Sequence, residues 1–256
     1  MTPLLATLAE IALTAGAEIA RIYAEGCETE QKKDGSPVTI ADRQAEAIIL
    51  EGLRAAFPEI AVLAEEEAAA GRIPALGPRF FCVDPLDGTR GFVERSGEFT
   101  VNIALIDLGE PVAGAIYAPV PDLLYLGARG EGAFRAAGGG PHEPICTRPR
   151  PPVGLTGIGS RNHAAPGTAE KTRRLGITEY LPSGSSLKFC RLAEGAADVY
   201  PRWTRTMEWD TAAGQAILEA AGGRVMALDG DREAGPLRYG KIEQGFENPD
   251  FIAWGK

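Results

Sequence analysis

Apolar and polar positions divide the chain into two differently patterned halves. Leu4, Leu8, Ile11, Ala15, Ile19 and Ile22 recur every three or four residues and predict an amphipathic first helix stopped by Gly26. Lys33-Asp34-Gly35-Ser36-Pro37 reads as a turn. Thr39 and Asp42 then have capping-box spacing, with Asp replacing the usual Glu or Gln. They open a second helix through Ala45, Ile48, Ile49 and Leu53, ended by Pro58. Short apolar runs predict strands at 60–64, 80–83, 100–106, 112–117 and 123–127. Gly109-Glu110-Pro111 and Pro119-Val120-Pro121-Asp122 separate the last three, which suits an antiparallel meander.

Around Gly138-Gly139-Gly140-Pro141 and residues 148–152 the composition shifts to glycine, proline and arginine, which marks a lobe boundary. Beyond it, strands at 153–158 and 177–181 alternate with helical segments at 165–175 and 185–196. A long helix is expected at 209–221, stopped by Gly222-Gly223 before a strand at 224–228. The chain shows no internal repeat and no low-complexity tract. The expectation is one unit over 1–256, with an α+β lobe at 1–147 and an α/β lobe at 151–256.

Composition narrows the function classes. At 256 residues, 45% hydrophobic and 24% charged, the chain can bury a sizeable core and is not disordered. A net charge of −9 disfavours nucleic-acid polymers and anionic membranes, but a metal or a local basic pocket can still draw a small anion. Cys27, Cys82, Cys146 and Cys190 form no CxxC, and His142 and His163 are the only histidines, so structural zinc is disfavoured. The N-terminus lacks a basic region followed by an apolar run, and no apolar stretch approaches the ~20 residues of a bilayer span. The expectation is a cytoplasmic protein with reduced thiols, without integral membrane association. GxxxxGK[ST], GxGxxG and GxSxG are all missing.

What stands out is carboxylate at strand ends. Asp84 and Asp87 flank Pro85-Leu86 after an apolar strand, and proline biases Asp84 away from helix, so a sharp turn is expected. Both carboxylates and the Leu86 carbonyl could converge on one point as oxygen ligands for a hard cation such as Mg²⁺. Gly88-Thr89 follows, where glycine permits close backbone approach and a helix start would offer N–H groups to phosphate. Taken singly, Asp-Pro and Asp-Gly are common turn dipeptides. Glu65-Glu66-Glu67 alone is a solvated charge run, Trp209-Asp210 alone a capping Asp beside an indole, and Asp42 alone a helix-start carboxylate.

Their order changes the reading. Asp42, Glu65-Glu66, Asp84-Pro85-Leu86-Asp87-Gly88-Thr89 and Trp209-Asp210-Thr211-Ala212-Ala213 together resemble the signature of the inositol monophosphatase superfamily of lithium-sensitive phosphatases. The resemblance runs from about Leu4 to the C-terminus. It implies a layered αβαβα sandwich. Two Mg²⁺ ions, or three, would be held by Glu65, Asp84, Asp87, Asp210 and the Leu86 carbonyl. It further implies a water positioned by Glu65 and by Thr89 backed by Asp42, phosphate held by Asp87, Gly88 and Thr89, and inhibition by lithium.

Three further stretches look most like the 3′(2′),5′-bisphosphate nucleotidase (CysQ-type) branch: residues 33–42, Ser160-Arg161-Asn162-His163, and Gly184-Ser185-Ser186-Leu187-Lys188-Phe189-Cys190 leading to Tyr200-Pro201-Arg202. Arg161, Lys188 and Arg202 would supply cations to a small anionic nucleotide; Ser185, Ser186 and His163 would supply hydrogen bonds. Inositol monophosphatases place an acid about two helical turns before the Trp-Asp pair. Here Arg202-Trp203-Thr204-Arg205-Thr206-Met207 has none until Glu208, which has no assigned role. The expected activity is removal of the 3′-phosphate of adenosine 3′,5′-bisphosphate, or its sulfated analogue, in sulfate assimilation. The rivals are an inositol monophosphatase, a fructose-1,6-bisphosphatase and a catalytically silent nucleotide or cation sensor. Monomer and homodimer both stay open.

Overall fold

The structure is a computed structural model that describes residues 1–32, 35–159 and 168–256. Helix α1 (Pro3–Glu25) is capped by the Thr2 hydroxyl and ends at Gly26, whose φ of 79° favours glycine. By length and composition α1 could cross a bilayer, contrary to the reading of its sequence. Leu5, Leu8, Ile11, Ala15, Ile19 and Ile22 are nevertheless buried in the first core. A small antiparallel hairpin, β1 (Thr29–Gln31) and β2 (Pro37–Thr39), leads into α2 (Ile40–Ala56). The capping box expected from Thr39 and Asp42 is present there.

β3 (Ala61–Ala64) and the one-turn α3 (Glu65–Ala69) precede the long strand β4 (Arg79–Asp87) and the short α4 (Thr89–Val93). The chain then runs as a meander through β5 (Thr100–Asp107), β6 (Glu110–Ala118), β7 (Leu123–Ala128), β8 (Gly132–Ala137) and β9 (Glu143–Ile145). These complete a seven-stranded sheet in the order β3-β4-β5-β6-β7-β8-β9, antiparallel except for the β3–β4 pair.

The second sheet, order β11-β10-β12-β15-β13-β14, is assembled from β10 (Leu155–Gly159), β11 (Ile177–Pro182), β12 (Val199–Arg202), β13 (Arg224–Asp229), β14 (Arg232–Pro236) and β15 (Phe251–Trp254). Helices α5 (Thr168–Arg174), α6 (Leu187–Ala193) and α7 (Ala212–Ala220) complete the chain, with a 3-10 turn at Glu208–Asp210 before α7. The expected long helix at 209–221 is thus broken at Thr211, whose φ of −123° is not helical.

Alternation along the strands explains the layers. In β5, Val101, Ile103 and Leu105 face α1 and α2, while Ala104 and Ile106 face a second core shared with α6, α7 and the second sheet. β5, β6 and β7 are therefore apolar on both faces, which is why they read as continuous runs rather than as alternating ones. A third, small cluster around Leu155, Val199, Ile252 and Trp254 covers the outer face of the second sheet. The result is the layered αβαβα arrangement.

Close approach of α7 to the first sheet positions the site. A Cβ on Gly114 would sit 2.6 Å from the Ala213 carbonyl, and one on Gly127 would sit 2.7 Å from the Ile217 Cα. Glycines on the sheet and Ala213, Ala216 and Ala220 on the helix remove the bulk that would hold them apart. Asp210, just before α7, is thereby carried to the end of β4, where Asp84 lies.

Candidate active site

The Asp84–Asp87 segment is a bulge and not the tight turn expected from Asp-Pro. Asp84 is in register with Asn102 and Asp87 with Thr100, so β4 spends three steps where β5 spends two. In a regular strand residues three apart point to opposite faces; one extra residue puts both carboxylates on the same face. The Leu86 N–H donates to Asp84 Oδ1 at 3.0 Å, which holds the bulge. Gly88 follows at φ 92°, where a Cβ would lie 2.8 Å from the Glu98 carbonyl, so only glycine fits.

Carboxylate oxygens of Asp84, Asp87 and Asp210 lie within 4.8 Å of one another. Burial, then the neighbouring charges of Glu65, Asp87 and Asp210, pushes the Asp84 carboxyl well above its usual range. Asp210 is pushed up to about 8 by burial and by Asp87. Three hard oxygen donors that repel one another in a partly buried site fit a divalent cation of the Mg²⁺ type.

Glu65 opens α3, and its carboxyl touches Asp84. It also meets Lys32 Nζ at 2.6 Å, and the same ammonium lies 2.6 Å from Glu66. Lys32 thus already supplies cationic charge to Glu65. Buried Glu46 accepts the Glu66 and Glu67 N–H groups at 2.8 and 2.9 Å and pins the start of α3. Thr89 Oγ lies 2.9 Å from Asp42 Oδ1 and 3.1 Å from the Leu86 carbonyl. Asp42 Oδ2 accepts from the Thr39 N–H and hydroxyl at 2.8 and 2.7 Å, so one carboxylate serves both the helix cap and Thr89. Burial raises the Asp42 pKa, and the hydrogen bonds from Thr39 and Thr89 oppose that rise.

Beside this cluster is a pocket of about 140 Å³ lined by Asp87, Ser185, Lys188, Phe189, Tyr200, Arg202, Asp210 and neighbours. Lys188 is only 5% exposed, and burial lowers its pKa to about 8 against the opposing charge of Asp87. Its ammonium donates to the Ser185 carbonyl and lies 5.5 Å from the Tyr200 ring centre. Arg202 Nε donates to the Thr204 carbonyl at 3.3 Å. Ser186, expected to face substrate, points inward instead, 2.8 Å from Asp87 Oδ2. Arg161 and His163 lie outside the described residues.

Glu208 acquires a structural explanation. Fully buried, it accepts the Gly240 and Lys241 N–H groups at 2.7 and 2.8 Å and the Lys241 ammonium at 2.8 Å. The C-terminal segment is thereby clamped against the turn that carries Asp210, itself held by the Met207 N–H at 2.8 Å. Glu208→Ala removes one partner of a buried ion pair, so it should cost about 3–5 kcal/mol. Guanidinium unfolding with the metal chelated measures this. A loss under ~1 kcal/mol, the worth of an exposed pair, would show that the clamp carries no weight.

The sequence profile of the inositol monophosphatase family matches residues 1–250. The chain belongs to this family. Among curated family members, the 3′(2′),5′-bisphosphate nucleotidase CysQ of Salmonella typhimurium is 43% identical over 250 residues, 97% of this chain and 98% of the relative. That of Escherichia coli K12 is 41% identical over 244 residues, 94% of this chain and 96% of the relative. The crystal structure of CysQ from Bacteroides thetaiotaomicron superposes with a TM-score of 0.82 at 38% identity, covering 98% of this chain and 97% of that one. An inositol monophosphatase from Anabaena superposes with a TM-score of 0.75 at 30% identity, covering 98% and 90%. The family is metal-dependent, and an acidic cluster of Asp84, Asp87 and Asp210 is present in this member.

Proposed function

We propose that this chain is a magnesium-dependent 3′(2′),5′-bisphosphate nucleotidase that removes the 3′-phosphate of adenosine 3′,5′-bisphosphate to give AMP. The observation that carries this reading is the contact between two fields of opposite sign. An acidic cluster suited to cations adjoins a pocket walled by Lys188 and Arg202. A substrate with two phosphates needs both. Near-full-length likeness to curated bisphosphate nucleotidases at 41–43% identity supports the nucleotide over other esters.

Asp84, Asp87, Asp210, Glu65 and the Leu86 carbonyl would hold two Mg²⁺ ions. Bound there, magnesium supplies positive charge to the phosphoryl oxygens and lowers the pKa of water. The protein's own groups do the rest. Thr89 gives its hydroxyl proton to Asp42 and turns a lone pair outward to receive a proton from the attacking water. Glu65, freed from Lys32, orients the same water. The Gly88 and Thr89 amides face the non-bridging oxygens. Lys188, Arg202 and Ser185, with Arg161 and His163, hold the other phosphate and the nucleoside.

Phosphate release from adenosine 3′,5′-bisphosphate, inositol 1-phosphate and fructose 1,6-bisphosphate, each with magnesium and with or without lithium, tests the assignment. The nucleotide should exceed the other two in kcat/KM by roughly tenfold or more, the ~1.4 kcal/mol or more that one extra charge-assisted contact supplies. Lithium should suppress its turnover. A preference for the inositol ester would overturn the substrate while leaving the metal chemistry. Absence of turnover on all three would point to a silent binding protein.

A further inference from the structure

Thr100, Asn102 and Ser186 are polar side chains 2% exposed or less, on β5 and at the start of α6. Burying uncharged polar groups costs free energy unless each is paired, and here every one is. The Thr100 hydroxyl donates to Asn102 Oδ1 at 2.9 Å, which fixes the Asn102 amide with Nδ2 toward the second lobe. Asn102 Nδ2 donates to Ser186 Oγ at 2.9 Å. Ser186 Oγ then has one proton and two acceptors, Asp87 Oδ2 and the Asp210 carbonyl, each at 2.8 Å. The ionised carboxylate is the stronger acceptor, so the proton goes to Asp87.

We infer that Ser186 is a positioning residue for the metal centre, rather than the substrate contact its motif suggests. The row of donors runs one way, from the middle of the first sheet, through the start of α6, into a ligand carboxylate. It polarises in the same sense at each step. It fixes which Asp87 oxygen is occupied from behind and leaves Oδ1 for a cation. Ser186 Oγ also lies 2.8 Å from the Asp210 carbonyl, so it stands between a ligand at the end of β4 and one in the 3-10 turn before α7. Asn102, on β5 opposite Asp84, ties the same hydroxyl to the strand that defines the bulge. Three elements meet at one oxygen atom. Partners of this kind behind a metal ligand typically change metal affinity 10- to 100-fold when removed.

This inference rests on the reading that the carboxylates hold magnesium, and calorimetric titration of magnesium into the chelator-stripped protein tests the two separately. Ser186→Ala should raise the magnesium Kd roughly 10- to 100-fold. Ser186→Thr, which keeps the hydroxyl, should stay within about threefold of wild type, under ~0.7 kcal/mol. Circular dichroism and melting in EDTA report folding independently. Should the alanine variant fail to fold, Ser186→Cys carries the test: its thiol is a weak donor, and its Kd should also rise by about tenfold or more. Folded variants lacking the hydroxyl that bind magnesium with the wild-type Kd would overturn the positioning role, even if their melting temperature fell. A wild type that takes up no magnesium would overturn the metal reading and this inference with it.

Discussion

Asp87→Asn should lower kcat by three orders of magnitude or more while leaving the protein folded and, with the metal chelated, no less stable than wild type. Asp87 shares an oxygen cluster with Asp84 and Asp210 and borders the pocket walled by Lys188 and Arg202. It therefore stands between the carboxylates proposed to hold the metal and the cationic wall proposed to hold the substrate. Metal charge supplies several kcal/mol of transition-state stabilisation, and ~4 kcal/mol corresponds to a thousandfold in rate. The stability half of the prediction separates a ligand from a structural carboxylate. The Asp87 charge raises the pKa of both Asp84 and Asp210, so without a cation it opposes the fold.

The sign of the pH effect follows. In the chelated wild type, the folded Asp84 and Asp210 carboxyls hold protons that the unfolded chain releases near the ordinary value of 3.8. The folded state then binds more protons, so these groups make stability fall as pH rises from about 4 toward 8. Asp87→Asn should flatten that slope, and magnesium should restore wild-type stability but not that of the variant. Thermal melts at pH 5 and pH 8, with EDTA or magnesium, measure all of this. A folded variant retaining near-normal kcat would remove Asp87 from the metal site.

Much of this site is legible from local rules. Thr39 and Asp42 announce a cap by spacing alone, and the structure builds that cap. Apolar runs at 100–106, 112–117 and 123–127 fall inside β5, β6 and β7, because a strand buried on both faces has no other composition open to it. The bulge was harder to read. Asp-Pro is equally compatible with a turn, and only the pairing of Asp84 with Asn102 and of Asp87 with Thr100, 18 and 13 residues apart, decides the matter. β12 and β15 went unread for a similar reason. Each has four residues, too few to show a period, and β15 is drawn into the middle of its sheet by antiparallel partners on both sides.

Three buried polar residues whose roles only the structure supplies share one signature. Asn102 interrupts an apolar run in a strand, Glu46 is a buried acid on α2, and Glu208 directly precedes Trp209. A polar residue where the pattern demands an apolar one signals a partner, but the partner's identity is a tertiary fact. Glu46 is met by backbone groups 20 and 21 residues away, and Asn102 by Ser186, 84 residues away. Lys32 belongs to the same class, since nothing in its neighbours foretells that its ammonium will occupy Glu65.

Lys188 carries the second large effect. Its ammonium is buried at the wall of the pocket beside Asp87, and no carboxylate accepts from it at hydrogen-bond distance among the described residues. A buried cation is costly unless something anionic repays it, and a second substrate phosphate does so. Lys188→Met keeps the length and removes the charge. It should forfeit about 2–3 kcal/mol of charge-assisted binding, which raises KM for adenosine 3′,5′-bisphosphate roughly 30- to 150-fold. An ester with a single phosphate, which never reaches Lys188, should be hydrolysed with nearly unchanged kcat/KM. Because burial brings the Lys188 pKa down to about 8, the wild type should lose this advantage in alkali. Below pH 8 the free enzyme holds the ammonium, and above it a neutral amine, so kcat/KM for the bisphosphate should fall as pH rises past 8. In Lys188→Met that alkaline limb should vanish, because the group that titrates is gone. A variant that keeps the limb, or that loses the single-phosphate ester equally, would place Lys188 in the structure of the pocket and not in substrate recognition.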